Sequence, residues 1–317
     1  MATPPAELGS RCEFRTYHTI PKKDGEMTTR KVVEPFGKQA ISGGVDGPYA
    51  LVIKRTFSAE RPSEASSITL GVNSPHILAA LRQVVGGEYP TIASDFTAPV
   101  ELASPFQVLM HHWDGLDAYR RASDSDDARM HLALLFDFME HELGPDRRQV
   151  LAMLRERKIT YLAAWAMYRP GDLMYSQVLG QPWILRCEKT SYEESTTVGP
   201  YMNIYCSYTD HDGSLVGQAA HCFTIYQKRQ FGGDNPAIVN ELPVYPLEFV
   251  ANREQLKKTL VHRGQTFLDM KGVSVKAYHG LAQYLKLPPW SFYDPDMISF
   301  GDVWLPYTVG FVPSIGA

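Results

Sequence analysis

Cysteine is scarce in this chain and never occurs in pairs. The four thiols, Cys12, Cys187, Cys206 and Cys222, are widely spread over 317 residues and form no Cys-x-x-Cys unit. That excludes a disulfide-framed secreted scaffold and fits free thiols in a reducing compartment. Long apolar runs are missing as well. The longest, residues 159–168, has ten residues, against roughly 20 needed for a helix to cross a bilayer. Met1 to Ser10 is rich in proline and alanine and lacks the apolar stretch of a signal peptide. Neither sign of charge dominates: 31 basic against 35 acidic residues leave a net charge of −4, so no overall field draws the chain to nucleic acid or anionic lipid. A cytoplasmic or nuclear protein is expected, with neither membrane nor nucleic acid as partner.

Catalytic signatures are also lacking. A phosphate-binding loop needs Gly-x-x-x-x-Gly-Lys-Ser/Thr, because backbone amides close around a phosphate that the lysine then reaches. Gly43-Gly44, Gly86-Gly87 and Gly232-Gly233 lack that lysine and read as turns. Asp210-His211-Asp212-Gly213 is no calcium loop, since Leu215 and His221 stand where glycine and glutamate would be needed. Asp-Gly signals a hairpin turn instead. Cys206, His211, His221 and Cys222 can be assembled into a zinc set on paper, but adjacent strand residues point to opposite faces. His111-His112 and Glu140-His141-Glu142 lack His-Glu-x-x-His spacing and read as solvated helix residues. No Gly-x-Ser-x-Gly elbow or cysteine in an electropositive frame offers a nucleophile. No metal or cofactor is expected.

What the sequence does contain is punctuation. Residues 1–46, with Pro4-Pro5, Lys22-Lys23-Asp24-Gly25 and Ser42-Gly43-Gly44, read as a mobile arm, a short edge strand at 14–20 being the alternative. Strands follow at 49–57 and 67–72. Ser74 then caps a helix with Pro75 at its first position, the apolar stripe Ile77, Leu78, Leu81, Val84 and Val85, and Gly86-Gly87 as its stop. The Ser-Pro signal recurs at Ser104-Pro105, before Phe106, Leu109, Met110, Trp113 and Leu116. A third helix covers 127–143, and Gly144-Pro145 closes it and opens a fourth.

Beyond residue 169 the period shortens to two. Pro170-Gly171 suits a type II turn. Met202, Ile204, Cys206 and Tyr208 alternate with Tyr201, Asn203, Tyr205 and Ser207, Asp212-Gly213 reverses the chain, and residues 219–226 return. Tyr201, Tyr205 and Tyr226 line one face of this hairpin, either as sheet packing or as a partner-binding surface. An edge strand at 243–250, a helix from Asn252 stopped by Gly264 with Leu256 and Leu260 inward, and a strand at 273–278 complete the reading. The tail after residue 287 has no clear period.

Five elements in order are Trp165-Ala-Met-Tyr-Arg-Pro-Gly-Asp-Leu, Tyr208-Thr-Asp-His-Asp-Gly, Leu242-Pro-Val-Tyr-Pro-Leu, Arg263-Gly and Tyr278-His-Gly. Over residues 160–285 this order resembles the domain of unknown function that precedes the ATPase module in many fungal AAA proteins. The resemblance implies a scaffold without catalytic residues and, as partners, an AAA ATPase module or substrate proteins. ATP binding does not carry over, because the phosphate loop belongs to the module that follows.

The expected architecture is α+β, a mostly helical first half packed on an antiparallel sheet in the second. Its segments are an arm at 1–46, a mainly helical region at 47–165, a β-rich family domain at 166–287 and an irregular tail at 288–317. The expected function is a non-catalytic recognition or regulatory domain. Arg169, Asp172, Tyr205, His211, Asp212 and Arg263 are the candidate interaction or cleft residues, and Gly171, Gly213 and Gly264 the structural turns. The alternatives are a small-molecule enzyme with Asp172, His211, Asp212 and Arg263 in a cleft, or a fragment of an ATP-hydrolysing AAA protein.

Overall fold

The computed structural model describes residues 7–21, 26–33, 36, 46–60, 64–86, 89, 96–178, 180–211 and 215–269, with only the backbone of 211, and the backbone of two strands at 281–285 and 298–302. The chain divides into two compact units, Met1–Arg169 and Pro170–Ala317. Helices and sheets occur together, so the fold is α+β.

The first unit is built on a five-stranded mixed sheet, not on helices alone. Its strands are β1 (Arg11–Pro21), β2 (Met27–Val32), β3 (Tyr49–Phe57), β4 (Ala65–Val72) and β5 (Val100–Ala103), in the order β2-β1-β3-β4-β5. β1 runs parallel to β3, with Phe14 opposite Leu51 and Thr16 opposite Ile53. The other neighbours are antiparallel. This corrects the reading of residues 1–46 as a mobile arm and of 14–20 as an edge strand, because β1 lies inside the sheet. The composition misleads because β1 buries a charge: Arg15 is 2% exposed, ion-paired to Asp46 at 3.1 Å, with its guanidinium over the Tyr49 ring at 4.0 Å. A buried charge is tolerated when it is paired in this way. On central β3, Tyr49 through Ile53 are all buried, as in a strand covered on both faces.

Among the described residues of this unit, five helices follow: α1 (Pro75–Val85), α2 (Gln107–His111), α3 (Trp113–Ala122), α4 (Asp126–Glu142) and α5 (Gly144–Arg155). α1 forms as its sequence dictates. The Ser74 hydroxyl accepts from the Ile77 amide, Pro75 sits in the first turn, and Gly86 takes φ +60 at the end. Ser125 caps α4 in the same way, with Asp126 and Asp127 in the first turn, where the helix dipole favours anions. Ser104-Pro105 behaves differently. That peptide is cis, Phe106 adopts a left-handed backbone, and the helix begins only at Gln107 before breaking at His112. One expected helix is therefore two. α1, α3 and α4 share a core with the sheet through Phe14, Ile53, Leu81, Leu116, Leu132 and Phe138. Arg55 on β3 closes that core against Glu142 at the end of α4, through Nη1 to Oε2 at 3.1 Å and a second contact from Nη2 to Oε1. A two-residue strand, β6 (Lys158–Ile159), and a 3-10 turn at Ala164–Met167 end the unit.

The second unit is an antiparallel meander of β7 (Leu173–Val178), β8 (Gln181–Ser195), β9 (Gly199–His211) and β10 (Val216–Tyr226). After α6 (Gln227–Phe231) and β11 (Ala237–Ile238), the short β12 (Val244–Pro246) adds at the edge beside β7, giving the order β10-β9-β8-β7-β12. Its terminal proline suits that edge. Gly171 takes φ +89 just before β7, as the second central position of a type II turn requires, and its amide donates to the Cys187 carbonyl at 2.8 Å. α7 (Arg253–Asp269) runs straight through Gly264, which corrects that glycine's reading as a stop. Half-buried Leu256, Leu260, Arg263 and Phe267 recur at helical spacing and carry the helix past it. β13 (Leu281–Leu285) pairs with β14 (Ile298–Asp302), so the stretch read as an irregular tail contains a paired strand. The expected strand at 273–278 lies outside the described residues.

Candidate functional site

The period-two pattern of residues 201–208 places two different chemistries on the two faces of the second sheet. One face is apolar, with Met174, Leu185, Cys187, Met202, Ile204, Cys206, Val244 and Ile225 buried. The other carries polar and aromatic groups in rows that cross three strands. Strand register aligns Glu193, Tyr201 and Tyr226 in one row, then Ser191, Asn203 and Thr224, then Lys189, Tyr205 and Cys222. The three tyrosines expected on one face do share it.

Glu193 organises the first two rows. Its Oε1 accepts from Ser191 Oγ at 2.9 Å and Asn203 Nδ2 at 3.0 Å, and its Oε2 accepts from the Tyr201 hydroxyl at 2.8 Å. Thr224 Oγ1 donates to Asn203 Oδ1 at 2.8 Å and so fixes that amide's orientation. These donors, Tyr201 first, hold the Glu193 carboxyl below the usual carboxylate range and raise the Tyr201 phenol in return. The rings of Tyr201 and Tyr226 lie 6.0 Å apart at 46°, and the Lys189 ammonium stands over the Tyr205 ring at 4.8 Å. At the same end of the sheet, a groove of about 370 Å³ is lined by Thr197 to Pro200, Gln227, Lys228, Gly233 and Asp234. This face therefore combines aromatic rings, fixed hydrogen-bonding groups and exposed charge.

The sequence-chosen residues do not gather at one point. Asp172 uses its carbonyl to accept from Cys187 N at 2.9 Å, Tyr205 meets Lys189, and Arg263 on α7 donates from Nη2 to the Pro182 carbonyl at 2.8 Å. These contacts fall at three different positions of β8, Cys187, Lys189 and Pro182. His211 ends β9 opposite Val216, while Asp212 and Gly213 lie outside the described residues. Cys187, Cys206 and His221 form a row on the apolar face, and Cys222 sits on the other. Cys187 directs its backbone groups toward Gly171 and Asp172, so its pairing with Cys206 is a non-hydrogen-bonded one, where side chains approach closest. Both thiols are reduced, and burial pushes the Cys206 thiol up to about 12 and Cys187 higher still. His221 packs among Trp183 and Phe223. No group of His, Cys, Asp and Glu among the described residues is arranged to hold a metal ion.

In the first unit, Arg169 belongs to a cluster that pattern reading missed. His111 and His112, read as solvated, are drawn inward at the α2–α3 break. The Trp165 carbonyl can only accept, so His111 Nε2 carries the hydrogen of their 3.2 Å bond, and Nδ1 accepts from the Tyr89 hydroxyl. His112 is 9% exposed, its ring edge-on to Tyr89 at 5.8 Å, and its buried Nε2 has no hydrogen-bond partner among the described residues. Burial lowers both imidazoles from 6.5 to about 4, against the raising hydrogen bond to Trp165 and helped by His112 and Arg169 for His111, and helped by the positive charge of Arg169 for His112. The break at His112 could not be seen in the apolar spacing, which continues across it.

Residues 149–251 match a known family, described as a domain of unknown function (DUF7025). The match starts within α5 and takes in Pro170-Gly171, the whole β7–β10 meander and Leu242 to Leu247. It stops short of Arg263-Gly264 and Tyr278-His279-Gly280. No curated protein and no solved structure matches the chain. No helix among the described residues is long and apolar enough to cross a membrane.

Proposed function

We propose that this chain is a non-catalytic recognition domain whose working surface is the polar, aromatic face of the β8–β9–β10 ribbon, presented to substrate proteins or to an AAA ATPase module. The observation that carries the reading is the row of Glu193, Tyr201 and Tyr226, in which an exposed carboxylate is held by the Tyr201 hydroxyl and Asn203 beside two half-buried tyrosine rings. Tyrosine gives a large contact area at low entropic cost and is enriched where binding energy concentrates. The motif order that resembles the region upstream of AAA modules supports the choice of partner.

Photocrosslinking tests this reading. A benzophenone amino acid placed at Cys222, on the ribbon face, is expected to capture a protein partner that the same probe at Met130, exposed on α4, does not. The capture should disappear in the Tyr201→Ala/Tyr226→Ala variant. Equal capture from both positions would remove the basis for the assignment, as would hydrolysis of ATP by the purified chain.

A further inference from the structure

We infer that the Glu193–Tyr201–Tyr226 row receives a cationic side chain, lysine or arginine, from an extended basic segment of a partner protein. The inference rests on the docking role proposed above and names the chemistry of what docks there.

Charge complementarity points to a cation. Glu193 lies within ion-pair reach of no lysine or arginine among the described residues, although other exposed carboxylates, such as Glu101 with Lys54 and Asp126 with Arg129, are paired. Its three accepted hydrogen bonds leave one of roughly four acceptor positions open. All three donors are neutral, so the full negative charge stays on the surface. Asn203 is itself held by Thr224, so the carboxylate is fixed before any partner arrives and little further ordering is needed on binding.

The rings define what kind of cation fits. Aromatic faces attract ammonium and guanidinium groups within about 6 Å of the centroid. Two rows along the same face, Lys189 already stands over Tyr205 at 4.8 Å. Tyr201 and Tyr226 offer a pair of rings, with a carboxylate in the same row where the Lys189 site has none. A visiting side chain there would meet a ring face and a fixed anion together. The adjoining groove of about 370 Å³ has both Lys228 and Asp234 in its walls, so it gives room to the rest of the segment while Glu193 supplies the charge selection.

The experiment is selection of random phage-displayed peptides on the immobilised full chain, followed by fluorescence anisotropy of the winners. Peptides carrying lysine or arginine are expected, with affinity falling about tenfold on Glu193→Gln and on raising salt. Replacing the peptide's basic residue by norleucine should cost the same factor, a readout that does not depend on how any variant folds. Peptides that are lost on Tyr226→Ala but carry no basic residue, or that bind Glu193→Gln equally well, would overturn this inference and leave the docking surface standing. If no selected peptide responds to any substitution on this face, both fall together.

Discussion

Acid should unfold the first unit from the α2–α3 break. His111 and His112 are neutral when folded, with folded values of about 4 against 6.5 when exposed. Between those values the unfolded chain binds protons that the folded chain refuses, so stability rises with pH through this window and is lost as pH falls below 6.5. Integrating that difference from pH 7 to pH 5 gives about 2 kcal/mol per imidazole, or about 4 kcal/mol for the two. The structure explains why the cost is not avoided by rearrangement. Protonated His111 would carry a buried charge beside His112 and Arg169, and protonated His112 would carry one beside Arg169. Urea unfolding between pH 7 and pH 5, read by pulsed hydrogen exchange on peptides covering residues 107–122, measures this unit alone. The wild-type midpoint should fall steeply with pH, and His111→Gln/His112→Gln should flatten the slope whatever its stability at pH 7. A flat wild-type profile, or an unchanged slope in the double variant, would refute the reasoning. His131, lowered by burial and by His76, contributes in the same direction and accounts for the slope that remains.

Other consequences are equally direct. Arg55→Met leaves the buried Glu142 carboxylate, which burial would raise but Arg55 and His141 hold below its ordinary value, with His141 alone, so a loss of about 2–3 kcal/mol is expected, below the cost of a wholly unpaired buried charge; thermal melts should show Arg55→Met/Glu142→Met regaining much of it. A carboxyl held low in this way stabilises above its unfolded value and stops doing so as pH falls through the folded one. Gly264→Ala places a methyl in open space inside α7 and should stabilise that helix by about 0.5–1 kcal/mol, seen as slower hydrogen exchange there; faster exchange would mean that the glycine serves a close approach. N-ethylmaleimide should modify exposed Cys222 in the native chain and reach Cys187 and Cys206 only after denaturation, which peptide mass mapping would check.

The elements that could be read in advance are those whose local signals agree with their tertiary setting. α1 has its cap, its first-turn proline, its stripe and its glycine stop in 13 consecutive positions, Ser74 to Gly86, and each is used. The β8–β10 alternation predicted which tyrosines share a face, because period two follows from strand geometry alone. β1 was hidden because it buries Arg15 through a distant aspartate and a distant tyrosine ring, partners that lie more than thirty positions along the chain. Ser104-Pro105 copies the α1 start signal, yet the left-handed Phe106 delays the helix, and nothing in the apolar spacing reports a backbone angle. Glu193 went unnoticed for the opposite reason. Its importance comes from Ser191, Tyr201 and Asn203, two of them on the neighbouring strand, which only the register brings to it.

The unequal strand lengths of the second unit leave it with an unfinished margin. β7 covers β8 only along Gln181–Arg186, and among the described residues no strand lies on that side of positions 188–195. Bare backbone of this length invites a neighbour's strand and, in a crowded cell, another copy of the same chain. Glu188, Lys189, Glu193 and Glu194 stand along the stretch as sentries, since stacking copies in register would set like charges against each other. Neutralising these four would be expected to make this margin a seed for aggregation.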